Sequence, residues 1–236
     1  NADWIPDDRE GLTICDATSA IFAMPIDYSK CDIITWSWQK VLGGEAAHGM
    51  IAISPRALKR LENYSPEWPI PKIFRIANNK KVIKDIFEGS TINTPSMICV
   101  EDALDGLNWA EENGGLEFLL NTSKKSFDLI YKWVQKNEWV TFLSNNKNIE
   151  YLSNTGITFK ICEDWFLKKD EEDQRSLVKE ICKMLSEENV AHDINGYAKA
   201  PPSFRVWAGG TVEPDNIEKL LPWLEWAYLK VKGANA

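Results

Sequence analysis

The sequence lacks any apolar run near the roughly 20 residues that a membrane-spanning helix needs. It also lacks a basic segment followed by an apolar one, which is the pattern of a secretory signal. Its five cysteines are odd in number and none are spaced as Cys-x-x-Cys, which argues against a zinc site and against a disulfide framework. We therefore expect no metal ion, no membrane partner, and a cytoplasmic location in which the cysteines stay reduced.

Positive charge is also scarce, with 27 Lys and Arg residues against 35 Asp and Glu residues and a net charge of −8. A field of that sign repels nucleic acid unless the basic residues are clustered. The only dense cationic stretch, Lys80, Lys81 and Lys84, precedes acidic residues and is interpreted as one solvated helix face. We expect no nucleic-acid partner, and an anionic small molecule would need individually placed Arg or Lys side chains.

The composition is that of a globular protein, with 44% apolar and 26% charged residues in a chain of 236. Apolar runs bounded by turn residues predict strands, and apolar residues at helical spacing predict helices. The predicted strands are 12–15 (buried, ending at Asp16), 32–36, 50–53, 158–162, 190–194 and 204–207, and the predicted helices are 54–64, 94–113, 116–137, 170–188 and 213–231, the last kinked or broken at Pro222. This order predicts an α/β protein with a domain boundary near residue 115.

One segment, running from Thr35 to Glu45, places a lysine between a predicted strand and a glycine pair. A lysine amine in a partly desolvated pocket loses its proton more easily and can then attack a carbonyl carbon to form a Schiff base. Gly43 and Gly44 allow the backbone to approach a ligand closely. Because most lysines are solvated surface groups, Lys40 by itself leaves both interpretations open.

Asp16 follows a predicted strand upstream of Lys40. In α/β proteins, ligands bind outside the carboxyl ends of the strands. If the ligand is pyridoxal phosphate, an anion is needed beside its pyridine nitrogen, because protonation makes the ring an electron sink. In the simpler interpretation, Asp16 only caps the turn Ala17-Thr18-Ser19.

Both residues lie in segments that resemble the phosphoserine aminotransferases of archaea and α-proteobacteria. The segments are Cys15-Asp16-Ala17-Thr18-Ser19-Ala20, Ser37-Trp38-Gln39-Lys40-Val41-Leu42-Gly43-Gly44-Glu45-Ala46-Ala47-His48-Gly49, Ser54-Pro55-Arg56-Ala57, Asn93-Thr94-Pro95-Ser96-Met97, Ala200-Pro201-Pro202 and Leu221-Pro222-Trp223-Leu224-Glu225-Trp226. The resemblance covers essentially the whole chain and only the C-terminal two thirds of family members. It implies the class V, fold type I architecture of PLP-dependent transferases, with residues 1–114 forming part of the large cofactor-binding domain and residues 115–236 forming the small C-terminal α/β domain.

The resemblance also implies roles for the residues that handle the cofactor, pyridoxal 5′-phosphate. Lys40 would form the Schiff base (the internal aldimine) and shuttle a proton, and Asp16 would pair with the pyridine nitrogen. Gln39 would contact the 3-oxygen side of the ring or the phosphate. Asn93 and Thr94 would reach across a homodimer interface to the cofactor phosphate of the partner subunit, although Thr94 is also placed to cap the helix that Pro95 opens.

The substrates implied by the resemblance are small anionic amino and keto acids. Arg205 would bind the α-carboxylate, since a planar guanidinium suits a carboxylate better than an ammonium group does. Lys199 is either a ligand of the substrate phosphate or a solvated loop lysine. His48 either contacts the ligand directly or makes a structural hydrogen bond, and the second interpretation is favoured. The implied reaction moves an amino group between glutamate and 3-phosphohydroxypyruvate, giving O-phospho-L-serine and 2-oxoglutarate in serine biosynthesis.

Two alternatives stay open at this point. The first is another class V enzyme, such as an alanine–glyoxylate aminotransferase or a cysteine desulfurase, although no mobile catalytic cysteine is suggested for the latter. The second is a catalytically incompetent chain that acts only as a folded, dimeric module.

Overall fold

The computed structural model describes residues 2–146 and 148–235, which form two compact units. The first unit runs up to Ile21 and continues over Ile26–Trp109, and the second combines Phe22–Pro25 with the residues from Ala110 onward. Within the second unit, Asn154 Nδ2 donates a hydrogen bond of 2.7 Å to the carbonyl of Ala23, in the segment Phe22–Pro25. The functional domain boundary expected near residue 115 stays a prediction.

The first unit is built on a three-stranded mixed sheet with the order β1-β2-β3. Strand β1 (Ile14–Asp16) runs parallel to β2 (Ile33–Trp36), and β3 (Met50–Ile53) runs antiparallel to β2. In this register Asp16 lies opposite Thr35. The last residue of β1 and the residues after β2 therefore emerge at the same edge of the sheet.

The three strands occur where the sequence predicts them, but β1 is less buried than expected. Ile34 on β2 is buried, whereas the Ile14 side chain is 67% exposed and Met50 and Ile51 are also exposed. An apolar run predicts a strand without telling which of its two faces other elements cover. The prediction that β1 is a buried strand is therefore wrong.

Helix α1 (Pro55–Asn63) begins as its sequence predicts. The Ser54 hydroxyl accepts a hydrogen bond of 3.1 Å from the Ala57 amide, and Pro55 occupies the first helical position, where its missing N–H costs nothing. The segment after α1 contains short 3₁₀ turns at 72–74 and 84–87 and a two-stranded ribbon of β4 (Ala77–Asn78) and β5 (Lys81–Val82).

Lys80, Lys81 and Lys84, in and after this ribbon, do not share one helix face, so that interpretation of the cationic stretch is wrong. Lys80 lies in the hairpin turn, Lys81 in β5 and Lys84 in a 3₁₀ turn, and all three side chains are exposed. Asn79 and Lys80 have φ angles of 47° and 63°, and a two-residue hairpin turn of this kind requires positive φ at both positions.

Helix α2 (Met97–Glu112) begins later than the sequence predicts. Its first hydrogen bond joins the Val100 amide to the Ser96 carbonyl. Thr94 is therefore not the helix cap, and that interpretation of Thr94 is wrong. The predicted glycine stop is confirmed, because Gly114 has a φ of +113° between α2 and α3 (Gly115–Lys136).

The second unit packs helices against an antiparallel sheet of β6 (Val140–Phe142), β7 (Gly156–Ile161) and β8 (Phe204–Trp207). Its helices are α3, the short α4 (Asp164–Leu167), α5 (Glu171–Glu187) and α6 (Pro214–Asn235), and α6 packs against α3 and α5. The centre of the core is formed by fully buried apolar side chains, namely Ile130, Phe159, Phe204, Ile181, Leu185, Leu224 and Tyr228.

One strand prediction for the second unit is wrong. Residues 190–194 do not form a strand, and Asp193 within them has a φ angle of 54°, which an extended strand does not allow. Helix α6 continues through Pro222 without a break, and the alternative expectation of a kink there stays a prediction. Strand β6 is not predicted by the sequence.

None of the helices within the described residues combines the length and the apolar character needed to cross a membrane.

Candidate active site

Asp16 is the last residue of β1, and its side chain is fixed by the turn that follows. The Thr18 amide and the Thr18 hydroxyl both donate to Asp16 Oδ1, at 3.0 and 2.6 Å. The hydroxyl and then the amide hold the pKa of this carboxyl below its ordinary value, against a smaller opposing effect of burial. Asp16 therefore caps this turn, and the same contacts favour its anionic form; its role towards a cofactor stays a prediction.

Lys40 lies on a tight loop that follows β2 at the same edge of the sheet. The Gly43 amide donates to the Lys40 carbonyl at 3.1 Å, and the Gly44 amide donates to the Trp38 carbonyl at 3.1 Å. Gly43 has a φ of +71°, which only glycine adopts without strain. The Lys40 side chain is half-buried, and the two residues after it, Val41 and Leu42, are buried.

The loop is held from outside by α2. A Cβ on Gly106 would lie 3.1 Å from the Leu42 carbonyl oxygen. The absence of a side chain at Gly106 therefore lets α2 approach the backbone of the lysine loop closely. Within the loop, Gln39 is half-buried, and its Oε1 accepts a hydrogen bond of 2.5 Å from the Ser37 hydroxyl.

Asn93 and Thr94 are exposed on the segment that leads into α2. This segment is joined to the lysine loop through His48, whose Nε2 accepts a hydrogen bond of 3.2 Å from the Ser96 amide. The His48 ring also meets the Trp38 ring edge to face, with 5.2 Å between centroids. The expectation that His48 makes a structural hydrogen bond is confirmed.

Arg205 lies on β8 in the second unit, opposite Thr158 of β7. Its guanidinium carbon lies 4.5 Å from the centre of the Tyr197 ring, and Nη2 lies 3.4 Å from Asp193 Oδ2. The side chain is 17% exposed. A cationic fork at the end of a largely buried stem can bind a carboxylate in a fixed orientation.

Lys199 is exposed at the tip of the loop that precedes β8. The loop is held by Arg175, whose Nη2 donates to the Ala200 carbonyl at 2.7 Å, and by the Ala200 amide, which donates to the Tyr197 carbonyl at 2.9 Å. Lys199 and Arg205 therefore share one ordered loop and strand.

The structure groups the predicted site residues by unit. Asp16, Gln39 and Lys40 follow two adjacent parallel strands of the first unit, and His48 joins their loop to the segment of Asn93 and Thr94. Lys199 and Arg205 belong to the second unit.

Sequence reasoning placed Thr18 beside Asp16, because an Asp two residues before a Thr is typical of a side-chain-capped turn. It missed Tyr197 and Asp193 as neighbours of Arg205. Tyr197 and Asp193 reach Arg205 only through the folding of their loop, and no spacing rule indicates this.

The residues of the first unit fit pyridoxal phosphate. A carboxylate whose pKa is lowered and a half-buried primary amine follow the carboxyl ends of neighbouring parallel strands. This donor set offers an anion for a protonated ring nitrogen and an amine for an aldehyde, the two groups that this cofactor requires.

The chain resembles curated proteins along nearly its whole length. A scan against models of protein families gives no match. The chain is 51% identical over 232 residues to the phosphoserine aminotransferase of Methanosarcina mazei and 52% identical over 232 residues to that of Methanosarcina barkeri. Each match covers 98% of this chain and 60% of the relative, so the chain spans less than two thirds of the length of these relatives.

Solved structures show the same fold. Phosphoserine aminotransferase from Bacillus circulans subsp. alkalophilus superposes with a TM-score of 0.71 at 20% identity, covering 95% of this chain and 55% of that one. A PLP-bound phosphoserine aminotransferase from Trichomonas vaginalis gives 0.68 at 17% identity, covering 94% and 56%. An alanine–glyoxylate aminotransferase from Nostoc sp. gives 0.66 at 17% identity, covering 92% and 53%. The fold is therefore that of the fold type I aminotransferases.

Proposed function

Because this chain is homologous to phosphoserine aminotransferases over 98% of its length, we propose that it takes part in the same reaction. Glutamate donates its amino group and 3-phosphohydroxypyruvate accepts it, which gives 2-oxoglutarate and O-phospho-L-serine. The observation that carries this proposal is the identity of about half of all residues to two such enzymes. In this proposal the protein serves serine biosynthesis.

We propose pyridoxal 5′-phosphate as the cofactor. When bound, it supplies an electron sink that allows an amino group to leave one carbon skeleton and enter another. Asp16 would hold the ring nitrogen in its cationic form, since hydrogen bonds from Thr18 keep the carboxylate ionised. Both of these bonds end on Oδ1, so Oδ2 can face the ring nitrogen.

Lys40 is proposed as the residue that holds the cofactor through Nζ and carries the proton. Its loop is closed by the two glycine amides, which restrict where the lysine backbone can move. In this proposal the Lys40 amine accepts the proton of the substrate α-carbon and returns it. Gln39, held by Ser37, would orient the ring from its 3-oxygen side or contact the phosphate.

Arg205 and Lys199 are proposed to recognise the substrates. The guanidinium of Arg205 would bind the α-carboxylate that glutamate and 3-phosphohydroxypyruvate share. Lys199 would contact the phosphate, which only one of the two substrates carries. The −8 net charge makes such individually placed cations necessary for an anionic substrate.

A homodimer is proposed as the active assembly, with Asn93 and Thr94 reaching the cofactor phosphate of the partner subunit. The segment that leads to these residues exposes several large apolar side chains, which are Trp68 at 78%, Ile73 at 70% and Phe74 at 68%. Exposed apolar groups clustered in one segment are typical of a protein interface. A second copy of this chain would cover them.

Cofactor binding is the first test of the proposal. Pyridoxal phosphate is added to the protein, and the absorbance between about 330 and 430 nm is recorded, since the cofactor's electronics change when it is held by a protein amine. We expect a shifted band that is lost in Lys40→Ala and kept in Lys59→Ala, a variant of an exposed helix lysine. Equal spectra for parent and Lys40→Ala would contradict the proposal and favour a non-catalytic module.

The substrate is tested by single turnover of the cofactor-loaded protein. Glutamate should discharge the band and 3-phosphohydroxypyruvate should restore it, as a two-step amino transfer requires. Alanine as amino donor and glyoxylate as acceptor are tested in the same way, because they are the substrates of the alternative enzyme. Discharge by alanine and not by glutamate would favour an alanine–glyoxylate aminotransferase. The cytoplasmic location stays a prediction.

A further inference from the structure

Arg205 is held between two side chains to which the proposed reaction assigns no role. Its guanidinium lies over the Tyr197 ring, with 4.5 Å between Cζ and the ring centre. Nη2 lies 3.4 Å from Asp193 Oδ2. Arg205 Nε is buried and has no hydrogen-bond partner among the described residues, whereas Asp193 is 88% exposed. The guanidinium therefore contacts an aromatic ring near Cζ and a solvated carboxylate at Nη2.

The backbone of the loop fixes both neighbours relative to Arg205. The Arg205 amide donates to the Ile194 carbonyl at 2.8 Å, and the Gly196 amide donates to the Ser203 carbonyl at 2.8 Å. A Cβ on Gly196 would lie 2.5 Å from Ser203 Oγ. The backbone segments of Gly196 and Ser203 can therefore approach this closely only because residue 196 is glycine. Asp193 precedes Ile194 in the chain and Tyr197 follows Gly196, so these hydrogen bonds bring both side chains beside Arg205.

We propose that Tyr197 and Asp193 together set the affinity of Arg205 for a carboxylate ligand, Tyr197 as a positioning residue and Asp193 as an internal competitor. The inference rests on the proposed function for the identity of the ligand, a substrate carboxylate. It goes beyond that function because it assigns the strength of the site to two residues outside the reacting groups.

Tyr197 acts by orienting the guanidinium group of Arg205. A guanidinium stacked on an aromatic face is attracted to the ring and loses rotational freedom before a ligand arrives. A carboxylate then finds two parallel N–H donors in one plane, which is the geometry of a bidentate pair. The hydroxyl of Tyr197 is not needed for this effect, since the contact is made by the ring face.

Asp193 acts through charge. Its carboxylate stands at Nη2, so an incoming carboxylate must replace it there and then remain close to it. Two anions at such a distance repel each other, and exposure to water weakens the repulsion without abolishing it. Removal of the Asp193 charge should therefore strengthen binding, which is the opposite of what loss of a merely structural residue does.

The test measures modification of Arg205 by phenylglyoxal, a reagent for guanidinium groups, in the presence of increasing 2-oxoglutarate. The modified site is identified by mass spectrometry, and the half-protecting concentration of 2-oxoglutarate is compared among variants. Asp193→Asn should lower it by about fivefold. Glu218→Gln removes the same charge from an exposed position on α6 and should leave it unchanged.

Tyr197→Leu should raise the half-protecting concentration by about threefold, and Tyr197→Phe, which keeps the ring face, should leave it as in the parent. Three results would each overturn the inference: an unchanged or raised concentration in Asp193→Asn, equal values for Tyr197→Leu and Tyr197→Phe, or no protection in any variant. Amino transfer, assayed separately, keeps the two ideas apart. If the protection pattern is as expected but amino transfer is absent, the proposed function is contradicted. If amino transfer occurs but the protection pattern is not found, this inference is contradicted.

Discussion

Arg9 Nη2 donates a hydrogen bond of 2.9 Å to Oδ2 of Asp32, a carboxylate that is 3% exposed. The same carboxylate accepts hydrogen bonds from the Thr13 amide at 2.8 Å, from Arg56 Nη1 at 3.1 Å and from the Ser54 hydroxyl at 3.1 Å. Asp32 thus joins the segment before β1, the start of β2 and the cap of α1. It fixes the strand pair from which Asp16 and Lys40 extend.

Asp32→Asn should destabilise the first unit by about 3 kcal/mol, because it leaves two guanidinium groups beside a site without its negative charge. Urea unfolding followed by a probe in that unit measures the change. Glu10→Gln, an exposed carboxylate on the neighbouring segment, serves as the control and should change stability by less than about 0.5 kcal/mol. Equal stability of parent and Asp32→Asn would show that the ion pairs contribute nothing.

The stability that Asp32 provides should depend on pH in a defined direction. Burial alone would raise the pKa of Asp32, but hydrogen bonds from Thr13, Arg9 and Ser54 hold it below its ordinary value. A group whose folded pKa is lowered stabilises the protein above its unfolded pKa, about 3.9 for Asp, and loses this effect as the pH falls through the folded pKa. The stability gap between parent and Asp32→Asn should thus be constant near neutral pH and shrink below about pH 4.

Thr18→Val should raise the pKa of the Asp16 carboxyl, since it removes the hydroxyl that contributes most to lowering it. An NMR titration of the Asp16 carboxyl carbon measures the shift directly and needs no cofactor. Thr18→Ser keeps the hydroxyl and should titrate as the parent does. A parent-like titration of Thr18→Val would show that Thr18 does not hold Asp16 in its ionised form.

Asp16→Asn should leave the fold intact and slow amino transfer by orders of magnitude, because an amide cannot stabilise a positive ring nitrogen. The rate at which glutamate discharges the cofactor band gives the measurement. Thermal unfolding provides the control for the fold, since Asp16 is exposed and its loss removes only the turn contacts. Activity within a few-fold of the parent would remove Asp16 from this role.

Local signals in the sequence predicted much of the backbone. Ser54-Pro55 marks the start of α1 and Gly114 marks the end of α2, because capping and positive φ depend on single residues. The errors have equally local causes. Asp193 adopts a left-handed conformation inside the segment 190–194, which resembles a strand, and non-glycine residues do so too rarely for this to be predicted.

The candidate site was predictable to a smaller extent. The resemblance picked out Lys40, Asp16 and Arg205, whose roles stay predictions, and the parallel pairing of β1 and β2 gives a physical reason for grouping the first two. The partners of Arg205 were not predictable. Tyr197 contacts Arg205 because Gly196 packs closely against the buried Ser203 and closes the loop. Such a contact depends on packing rather than on the spacing of residues in the sequence.

Lys199→Ala should lower kcat/KM for O-phospho-L-serine by about tenfold or more and spare glutamate, because a hydrogen bond to a charged group contributes about 1.5–3 kcal/mol. Lys199 is exposed on a loop that Arg175 holds by a hydrogen bond of 2.7 Å to the Ala200 carbonyl, so its removal should not disturb the loop. Lys179→Ala is the matched control, since that exposed lysine lies on α5 at the cavity beside the same loop.

The ratio of the two substrates decides between the interpretations of Lys199. A phosphate ligand affects only the substrate that carries a second anionic group, so the ratio of the two kcat/KM values changes. A solvated loop lysine changes neither value, and loss of both in equal measure would place Lys199 at the shared carboxylate instead. Arg205→Lys should instead affect both substrates in the same assay. It should raise KM for each, because a lysine ammonium group replaces the planar guanidinium at the α-carboxylate that both substrates carry.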